Sequence, residues 1–446
     1  MFYASSKMRT PVLLALGLLL LAVPAHAYRM SAWVPSWDAN AIPTMGLHAR
    51  DLDESNPGWF YANADGTVKA TGEDPRLRAA LTGTLLMPTI KNYANGAFDG
   101  AMMATIVNSE TLREKHAEAI AQTVVLNGYD GIDIDYEAMP SSSKAGFSAF
   151  VQLLGKKLHA GNKQLSVTVH AKTNDATWAG PGAQDWTVIG AAADSVKIMA
   201  YDNHWSTSAA GPIAPLDWLD QIAAYAEQKL PAKKAMIGLP WYGYDWLANS
   251  GSAVTYAQAI ARAQSSGIPV AYDANGEATF SYGGRTVFFQ DATSYRTKVQ
   301  ALVARHPGLG GFAHWRVGAE DPAIWDVVSQ LRTTGRAPTQ SLPAKDFAID
   351  GPLDITTAAG TQIRALYGYV GINGFTGPVT LSSRQIDPFG ATMTVTGTSL
   401  TVAVASTTAA GAYRLMLTMS GGGITHEQLV VVRVTPPKVT KRRAVR

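Results

Sequence analysis

The sequence predicts an α/β protein: a (β/α)8 barrel of the TIM type with a small α+β insertion before its eighth strand, followed by an immunoglobulin-like β-sandwich. Three observations lead to this prediction. A chain of 446 residues is too long for one ordinary hydrophobic core, which favours two domains. Between residues 30 and 335, β-branched runs alternate with helical patterns, as in βα units around a parallel sheet. After Arg332 the chain is rich in Thr, Val and Gly and lacks helical periodicity.

Eight short strand candidates define the predicted barrel. They are SAWVPSW (31–37), a weaker one at MGLHARDL (45–52), LLMPTI (85–90), GIDIDYE (131–137), LSVTVHA (165–171), SVKIMAY (195–201), AMIGLPWYG (235–243) and GGFAHW (310–315). The clearest helix has apolar residues spaced i, i+3, i+4, i+7 and i+11 from Phe147 and stops at Gly161. Another helix is predicted from near Ser109 to Leu126. Eight strands, each followed by a helix or a long connection, favour a barrel over a doubly wound sheet.

The first 27 residues have the pattern of a secretory signal peptide: Lys7 and Arg9, an apolar run from Val12 to Val23, and a cleavage site after Ala27. The alternative, an uncleaved membrane anchor, needs about 20 apolar residues, and this run is shorter. The chain has no cysteine, which excludes disulfides and thiolate metal sites and suits an exported bacterial protein. We therefore expect a secreted, periplasmic or cell-envelope protein without a membrane span after signal cleavage.

Composition sets the other expected boundaries. The barrel domain is predicted at 28–335, and its insertion at 250–305, where strand-like segments flank NG and GG turns. A linker is predicted at 336–345 and a β-sandwich of about seven short strands at 346–435. The remaining residues, 436–446, form a basic tail, for which a solvated, disordered terminus is favoured over contact with an anionic cell wall.

The net charge argues against a nucleic-acid partner. The formal charge of the whole chain is +3. Lys7, Arg9 and the basic residues of the tail together exceed this value, so the body between them is mildly acidic. A mildly acidic body lacks the electrostatic footprint of a nucleic-acid-binding protein.

The stretch DGIDIDYE (130–137) places acids on one face of a strand and apolar residues on the other. The inward acids are Asp133, Asp135 and Glu137, about 6.6 Å apart at successive Cα positions. They cannot all ionise freely, so at least one pKa should rise, which keeps a carboxylic acid protonated near neutral pH. Glu137, nearest the C-terminal mouth of the barrel, is the expected proton donor. Asp135 can hold a substrate group and share a proton with Asp133.

The acidic strand fits a metal site or a chance cluster less well. A calcium loop needs Gly at its sixth position and Glu at its twelfth, where this chain has Ala138 and Lys144. A sugar transferase with an Asp-x-Asp pair and a divalent metal is a second alternative. A chance run of acids is disfavoured because buried unpaired charge is costly. His204 and His314 lack metal-ligand spacing and are interpreted as cleft or packing residues.

DGIDIDYE resembles the Asp-x-x-Asp-x-Asp-x-Glu motif of glycoside hydrolase family 18, the chitinase-like (β/α)8 enzymes. MAYD (199–202) is similar to the family's Met-x-Tyr-Asp on the sixth strand, and GLPWYGYDW (238–246) to its seventh-strand segment. Trp315 in GGFAHWRVG resembles the eighth-strand tryptophan beneath the cleaved sugar. The branch with bacterial spore-cortex and cell-wall N-acetylglucosaminidases looks nearest. Its frequent LysM repeats are missing here, which weakens transfer of a spore-cortex role.

This resemblance implies a retaining, substrate-assisted hydrolase of β-1,4-linked N-acetylglucosamine polysaccharide, either peptidoglycan or chitin, with no metal or other cofactor. Glu137 would protonate the glycosidic oxygen and Asp135, tuned by Asp133, would orient the acetamide N–H. Tyr201 would hydrogen-bond the acetamide carbonyl. The implied substrate-binding residues are Asp202, Trp315, Met199, Tyr242 and Trp241, with Trp205 and Trp246 as further candidates for sugar stacking. A non-catalytic lectin on the same barrel is the alternative, and the oligomeric state stays open.

Overall fold

The computed structural model describes residues 28–81, 83–336, 346–372, 378–422 and 424–437. The predicted signal peptide, most of the predicted linker and most of the basic tail lie outside these residues. Within the described part of the chain, no helix is long and apolar enough to cross a membrane.

The first part of the chain alternates strands and helices. Its strands are β1 (Arg29–Val34), β2 (Glu54–Pro57), β3 (Phe60–Ala62), β4 (Val68–Ala70), β5 (Leu85–Leu86), β6 (Thr89–Lys91), β7 (Tyr93–Ala94), β8 (Ala97–Phe98), β9 (Gly131–Asp135), β10 (Gln164–His170), β11 (Ser195–Met199) and β12 (Ala235–Pro240). Its helices are α1 (Ala41–His48), α2 (Pro75–Ala80), α3 (Gly100–Asn108), α4 (Glu110–Leu126), α5 (Lys144–Ala160), α6 (Trp186–Ala192) and α7 (Leu216–Lys229). Short 3-10 turns lie at Ala49–Asp51, Ser141–Ser143 and Pro181–Ala183.

The seventh connection contains a small antiparallel sheet and a helix. Its elements are β13 (Gly243–Leu247), β14 (Ser250–Val254), α8 (Tyr256–Ser265), β15 (Ala271–Tyr272), β16 (Ala278–Tyr282) and β17 (Arg285–Phe289), with the strand order β14-β13-β17-β16-β15. This sheet begins at Gly243, upstream of the expected residue 250, because β13 pairs with both β14 and β17. The chain continues through α9 (Ala292–Arg305), β18 (Gly311–Trp315) and α10 (Ile324–Thr334).

Parallel pairing joins the long strands into a TIM-barrel-like fold. From β9 the order runs through β10, β11, β12 and β18 to β1 and β2. Residues 85–91 lie between the two ends of this order and pair with both of them. Strand β5 pairs with β2, and strand β6 pairs with β9. The carboxyl ends of these strands therefore face one mouth, where barrel active sites are built.

The second strand lies elsewhere than the sequence predicted. Residues 45–52 contribute to α1 and a 3-10 turn, and the strand is β2 at Glu54–Pro57. Helical spacing explains the first point, because Ala41, Met45 and Ala49 recur every four residues and are all buried. The strand itself was not predicted because its residues, Glu54–Pro57, give no run of apolar side chains. Its Glu54 side chain is buried in the barrel interior beside a lysine.

The acidic strand forms two residues shorter than predicted, as β9, and its neighbouring helix forms as predicted. Ile132, Ile134 and Tyr136 are buried in the main hydrophobic core, on the side opposite the acids. The helix predicted from Phe147 is α5, which ends at the cap residue Gly161. Gly131 allows a close approach to β10, because a Cβ there would lie 2.2 Å from the Gln164 carbonyl oxygen. These contacts fix the height of the acids in the barrel.

The C-terminal part is a β-rich domain. Its strands are β19 (Asp346–Asp350), β20 (Asp354–Ala358), β21 (Gln362–Leu366), β22 (Gly368–Ile372), β23 (Thr380–Gln385), β24 (Ala391–Thr396), β25 (Ser399–Val404), β26 (Gly411–Gly421) and β27 (Ile424–Thr435). They form a four-stranded sheet, β20-β27-β26-β23, a three-stranded sheet, β21-β25-β24, and the pair β19-β22. Alternate residues such as Val402, Leu417 and Val432 make its separate apolar core.

Candidate active site

Three acids rise along one strand toward the mouth of the barrel. Asp133 and Asp135 lie on β9, and Glu137 follows two residues after its end. The register with neighbouring strands is parallel, so that Asp135 lies beside Lys91 of β6 and Thr168 of β10. The three acids have very different surroundings.

Asp133, the deepest acid, is saturated with hydrogen bonds. It is fully buried and accepts bonds from the groups that surround it. These donors are Trp33 Nε1 (3.0 Å), Thr89 Oγ1 (3.0 Å), Ser166 Oγ (2.7 Å), Thr168 Oγ1 (3.2 Å) and Lys197 Nζ (3.3 Å). So many donors hold the carboxylate in one orientation.

A buried ion pair lies beneath Asp133. Lys197 Nζ contacts Glu54 directly and donates to Asn56 Oδ1 at 2.7 Å. Burial opposes ionisation of Glu54, but Lys197 and Arg29 outweigh it and lower the pKa of this carboxyl to about 2. The Lys197 ammonium thus gives two buried carboxylates, Glu54 and Asp133, the same positively charged partner.

Asp135, the middle acid, is nearly buried but poorly satisfied. Its Oδ2 lies 3.5 Å from Lys91 Nζ, and its Oδ1 has no hydrogen-bond partner among the described residues. Burial raises the pKa of Asp135 to about 6; Lys91 opposes this shift and Asp133 adds to it. Asp135 is therefore mostly ionised at neutral pH and has a free acceptor oxygen.

Glu137, the uppermost acid, is held by its backbone and has a partly exposed side chain. Its N–H donates to Asn92 Oδ1 and its carbonyl accepts from Asn92 Nδ2, both at 2.9 Å. Burial raises the pKa of Glu137 to about 8, helped by the charge of Asp135 and opposed by Lys91. A neutral carboxylic acid at pH 7 can donate a proton. His170 Nε2 lies 3.8 Å from Glu137 Oε2, and burial lowers the pKa of His170 to about 4, so this ring is neutral.

The residues after β11 form the side wall beyond Glu137. Tyr201 lines the cleft and meets Tyr242 edge to face at 6.4 Å between centroids. Burial, followed by the charge of Asp135, raises the pKa of Tyr201, so its hydroxyl remains a donor. Asp202 accepts a hydrogen bond from the Tyr242 hydroxyl. Burial raises the pKa of Asp202 against that bond.

Trp315 and Met199 complete the part of the cleft that the sequence predicted. Trp315 ends β18, is followed by a cis peptide bond, and meets Trp33 edge to face at 6.2 Å. Met199 ends β11, and both side chains line the same cleft as Asp135 and Glu137. The cleft thus joins an acid, a carboxylate, a tyrosine and an indole within one cavity.

Two residues predicted to bind substrate do not line this cleft. Tyr242 is buried and reaches it through its bond to Asp202. Trp241 is fully buried, stacks on His314 at 4.3 Å and meets Trp325 edge to face. The Trp241 ring thus packs against α10 in this structure, and its contact with a sugar stays a prediction.

The two further tryptophan candidates are also outside the cleft lining. Trp246 is buried in the insertion, where its Nε1 donates to the Trp205 carbonyl. The Trp205 side chain is 49% exposed and its Nε1 donates to Thr207. A strand-end position alone does not reveal which way a side chain points.

Sequence reasoning missed several residues of the cleft. The polar ones near the acids are Lys91, Asn92 and His170. The aromatic ones along the cleft are Trp33, Trp37, Tyr61, Tyr93, Phe98, Trp178 and Trp218. The polar residues could have been found, since each lies at or just after the end of the third or fifth strand, where barrel sites are built. Of the aromatic residues, Trp37 and Trp178 lie on loops, and the others lie on strands or near the start of α7. A position on an element does not by itself show that a ring turns into the cleft.

Fold and site together define a class: a TIM-barrel-like α/β protein with three carboxyl groups, Asp133, Asp135 and Glu137, at the C-terminal end of its fourth barrel strand. The comparison with protein families agrees and is more specific. The model of glycosyl hydrolases family 18 matches residues 93–320, and the chain belongs to this family.

Relatives and solved structures show the same family. The chain is 31% identical over 243 residues to the putative sporulation-specific glycosylase YdhD of Bacillus subtilis, an alignment that covers 52% of this chain and 57% of that protein. It is 27% identical over 282 residues to the cortical fragment-lytic enzyme of Bacillus anthracis, covering 60% and 65% respectively. This chain therefore matches less than two thirds of the length of either relative.

Two solved structures share the fold at similar identity. The spore cortex-lytic enzyme SleL of Bacillus cereus gives a TM-score of 0.64 at 26% identity, covering 69% of this chain and 74% of that one. A chitinase from Chromobacterium violaceum gives a TM-score of 0.63 at 28% identity, covering 68% of this chain and 98% of that one.

Proposed function

We propose that the protein is an exported, retaining glycoside hydrolase that cleaves β-1,4-linked N-acetylglucosamine polysaccharide by substrate-assisted catalysis. One observation carries the proposal: a carboxyl group kept protonated at neutral pH lies next to an ionised carboxylate with a free buried oxygen. Burial raises the pKa of Glu137 to about 8 and that of Asp135 to about 6. Asp135 Oδ1 lacks a partner among the described residues.

The two carboxyl groups suit two steps of one reaction. Glu137 donates its proton to the glycosidic oxygen as the bond to the anomeric carbon breaks. The acetamide carbonyl oxygen of the −1 sugar attacks that carbon and forms a bicyclic oxazolinium ion, so the substrate supplies the nucleophile. Water then attacks the anomeric carbon from the face that the leaving group vacated, and Glu137 takes its proton. The bond between that carbon and the acetamide oxygen breaks, so the product keeps its configuration.

The neighbouring residues position the acetamide group. Asp135 Oδ1 is the acceptor for its N–H, and the charge of Asp135 stabilises the positive charge that develops there. The Tyr201 hydroxyl donates to the carbonyl and aligns it for attack. Trp315 lies under the sugar ring, and Asp202, held by Tyr242, faces the cleft beside Tyr201. No metal or other cofactor takes part in these steps.

The names of the relatives support an N-acetylglucosamine polymer as substrate. The relatives include cortical fragment-lytic enzymes and a class V chitinase. Peptidoglycan and chitin both present the acetamide that this chemistry needs. The exposed aromatic side chains along the cleft suit binding of several sugars of such a chain.

Replacement of Glu137 by Gln tests the proposal. Gln cannot donate the proton, so we expect kcat to fall about 100- to 10,000-fold with the fold unchanged. The assay is release of fragments from peptidoglycan and from chitin, identified by mass spectrometry, which also decides between the two polymers. Glu118→Gln, an exposed residue of α4, is the matched control.

Two results would contradict this function. A Glu137→Gln variant as active as the parent would remove the proton donor from the mechanism. Saturable oligosaccharide binding by the parent without new reducing ends would instead support the lectin.

The remaining predictions about organisation stay proposals. We propose that the signal peptide is removed after Ala27, which N-terminal sequencing of the exported protein tests. We assign residues 28–335 to the hydrolase domain and residues 346–435 to an immunoglobulin-like sandwich. The mildly acidic charge of the body supports a polysaccharide partner rather than nucleic acid.

A further inference from the structure

Lys91 ends strand β6, which pairs side by side with the acidic strand β9. Strand β6 pairs with β9 so that Thr89 lies beside Asp133 and Lys91 beside Asp135. The shorter side chain, Thr89, donates to Asp133 at 3.0 Å. The longer one extends into the cleft, where Lys91 is only 19% exposed.

The ammonium of Lys91 lies between the floor of the cleft and the middle acid. Its Nζ is 3.5 Å from Asp135 Oδ2 and 4.9 Å from the centroid of the Trp315 ring. Such a distance is that of a cation–π contact. The Lys91 ammonium thus contacts both Asp135, which we propose binds the acetamide, and Trp315, which we propose lies under the sugar ring.

We propose that Lys91 is a displaceable counter-ion of Asp135. In the free protein its ammonium occupies the place over Trp315 where the sugar binds, and the entering sugar displaces it. This inference rests on the proposed function, because it needs a sugar over Trp315. A pyranose stacked on an indole brings carbon atoms to about 4 Å from the ring. An ammonium 4.9 Å above the same centroid occupies that layer.

The structure offers the displaced side chain another place. A smaller cavity adjoins the cleft at Lys91 and is lined by Trp37, Asn56 and Tyr61 among others. A lysine side chain has several rotatable bonds and can turn into this cavity, where aromatic faces again receive its charge. Asp135 Oδ2 then loses its ionic partner, and Oδ1, which has no partner among the described residues, accepts the acetamide N–H.

Displacement changes the charge around the reacting groups. Lys91 opposes the effect of burial on the pKa of Asp135 and on that of Glu137. The other charged or titratable groups near the two carboxyl groups are Asp133 and Lys197, beside Asp135, Asp202 and His170, beside Glu137, and Tyr201, near both. Departure of Lys91 therefore raises the pKa of Glu137 and secures its proton once the sugar is bound, while the acetamide group replaces Lys91 as the partner of the ionised Asp135.

Lys91→Met tests the inference through two pH profiles of the full-length protein. The profile of kcat/KM reports the free protein and that of kcat reports the complex. We expect the basic limb of kcat/KM to move up by about one pH unit, since removing an adjacent opposite charge has that effect. The basic limb of kcat should stay at the parent value, because Lys91 has already left in the complex.

A binding measurement gives a second readout. In the Glu137→Gln background, which does not consume the ligand, tryptophan fluorescence titration with an N-acetylglucosamine oligosaccharide gives Kd. Lys91→Met should bind several-fold more tightly, because the sugar no longer displaces an ion pair. Lys91→Arg keeps the charge and should restore the kcat/KM profile while weakening binding, since a planar guanidinium holds a carboxylate more firmly. Lys115→Met, which removes an exposed lysine 3.2 Å from Asp65, is the matched control.

The outcomes separate this inference from the function beneath it. Equal shifts of both profiles would show a fixed counter-ion, and no shift in either would show a purely structural lysine; each overturns the inference and leaves the hydrolase intact. Weaker binding by Lys91→Met would show that the ammonium contacts the sugar, and also overturns it. A parent protein that neither binds nor cleaves the oligosaccharide would overturn the proposed function, and the inference with it.

Discussion

The carboxyl groups of Asp133, Asp135 and Glu137, on and just after β9, have very different partners. Asp133 accepts hydrogen bonds from five side chains, whereas Asp135 has one weak ionic partner and an orphan oxygen. The nearest charged or titratable partner given for the Glu137 side chain among the described residues is His170, at 3.8 Å. The number of stabilising donors falls toward the mouth, and the pKa rises from Asp135 to Glu137 with that loss.

Asp135→Asn tests this gradient. The charge of Asp135 is the second cause, after burial, of the raised pKa of Glu137. Neutral Asn removes that charge, so we expect the basic limb of the kcat/KM profile to move to lower pH and the acidic limb near pH 6 to disappear. The change is opposite in direction to that expected for Lys91→Met. We also expect a large fall in kcat, because Asn no longer stabilises the developing positive charge.

The pH profiles of Asp135→Asn need a control for general effects of charge. Asp65→Asn removes an exposed acid outside the cleft and should leave both limbs at their parent positions. An unchanged basic limb in Asp135→Asn would show that the charge of Asp135 does not raise the pKa of Glu137, and would contradict the gradient.

At the scale of elements, the strands and helices whose apolar residues recur at a regular spacing could be predicted from the sequence. The alternation in β9 and the helical spacing from Phe147 to Gly161 were sufficient to place both elements. The second strand was missed because Glu54 and Asn56 face a buried lysine, so an inward face that is normally apolar is polar. Long-range pairing of this kind cannot be recognised from local pattern.

The site was predictable to the same extent. Motif and strand end together identified Glu137 and Tyr201, and the structure brings both into one cleft. Orientation was not predictable: consecutive residues Trp241 and Tyr242 turn to different neighbours, one toward His314 and the other toward Asp202. Packing across the barrel, rather than spacing along the chain, decides such directions.

Loops on either side of the fourth strand carry exposed aromatic residues. Tyr93 belongs to the β7–β8 hairpin after the third barrel strand and contacts Phe98 at 5.3 Å. Trp178 lies between β10 and α6, after the fifth barrel strand, and is 58% exposed. In the ring order these loops flank Glu137 from opposite sides. A polysaccharide that crosses the cleft would contact both.

Tyr93→Ala and Trp178→Ala should therefore shift the cleavage pattern in opposite directions. An aromatic contact of about 1 kcal/mol corresponds to about a fivefold change in KM for long oligosaccharides, with kcat changed less. Product lengths, read by mass spectrometry, should differ between the two variants because each loses binding on one side of the scissile bond. Trp205→Ala is the matched control, since this tryptophan is 49% exposed but does not line the cleft. Identical product patterns in all three variants would contradict a chain bound across both loops.

At the scale of the whole molecule, apolar contacts join the β-rich domain to the barrel. Val370 of β22 packs into the hydrophobic cluster of the insertion with Tyr256 and Ile260. Leu429 of β27 lies beside α1, where a Cβ on Gly46 would be 3.7 Å from it. Both side chains are at least nine-tenths buried. The residues that line the cleft with Asp135 and Glu137, by contrast, come from positions 33 to 315.

These contacts predict that the two parts of the protein unfold together. Val370→Asp or Leu429→Asp places a charge in an apolar contact, at a cost of about 2–4 kcal/mol, and should split a single calorimetric transition into two. The kcat at 25 °C should stay unchanged, because the cleft is built by the barrel alone. Leu366→Asp, at a leucine of β21 that is 66% exposed, is the matched control and should unfold as the parent does. Two transitions already present in the parent would show that the domains are thermodynamically independent, and a fall in kcat in either variant would show that the β-rich domain reaches the cleft.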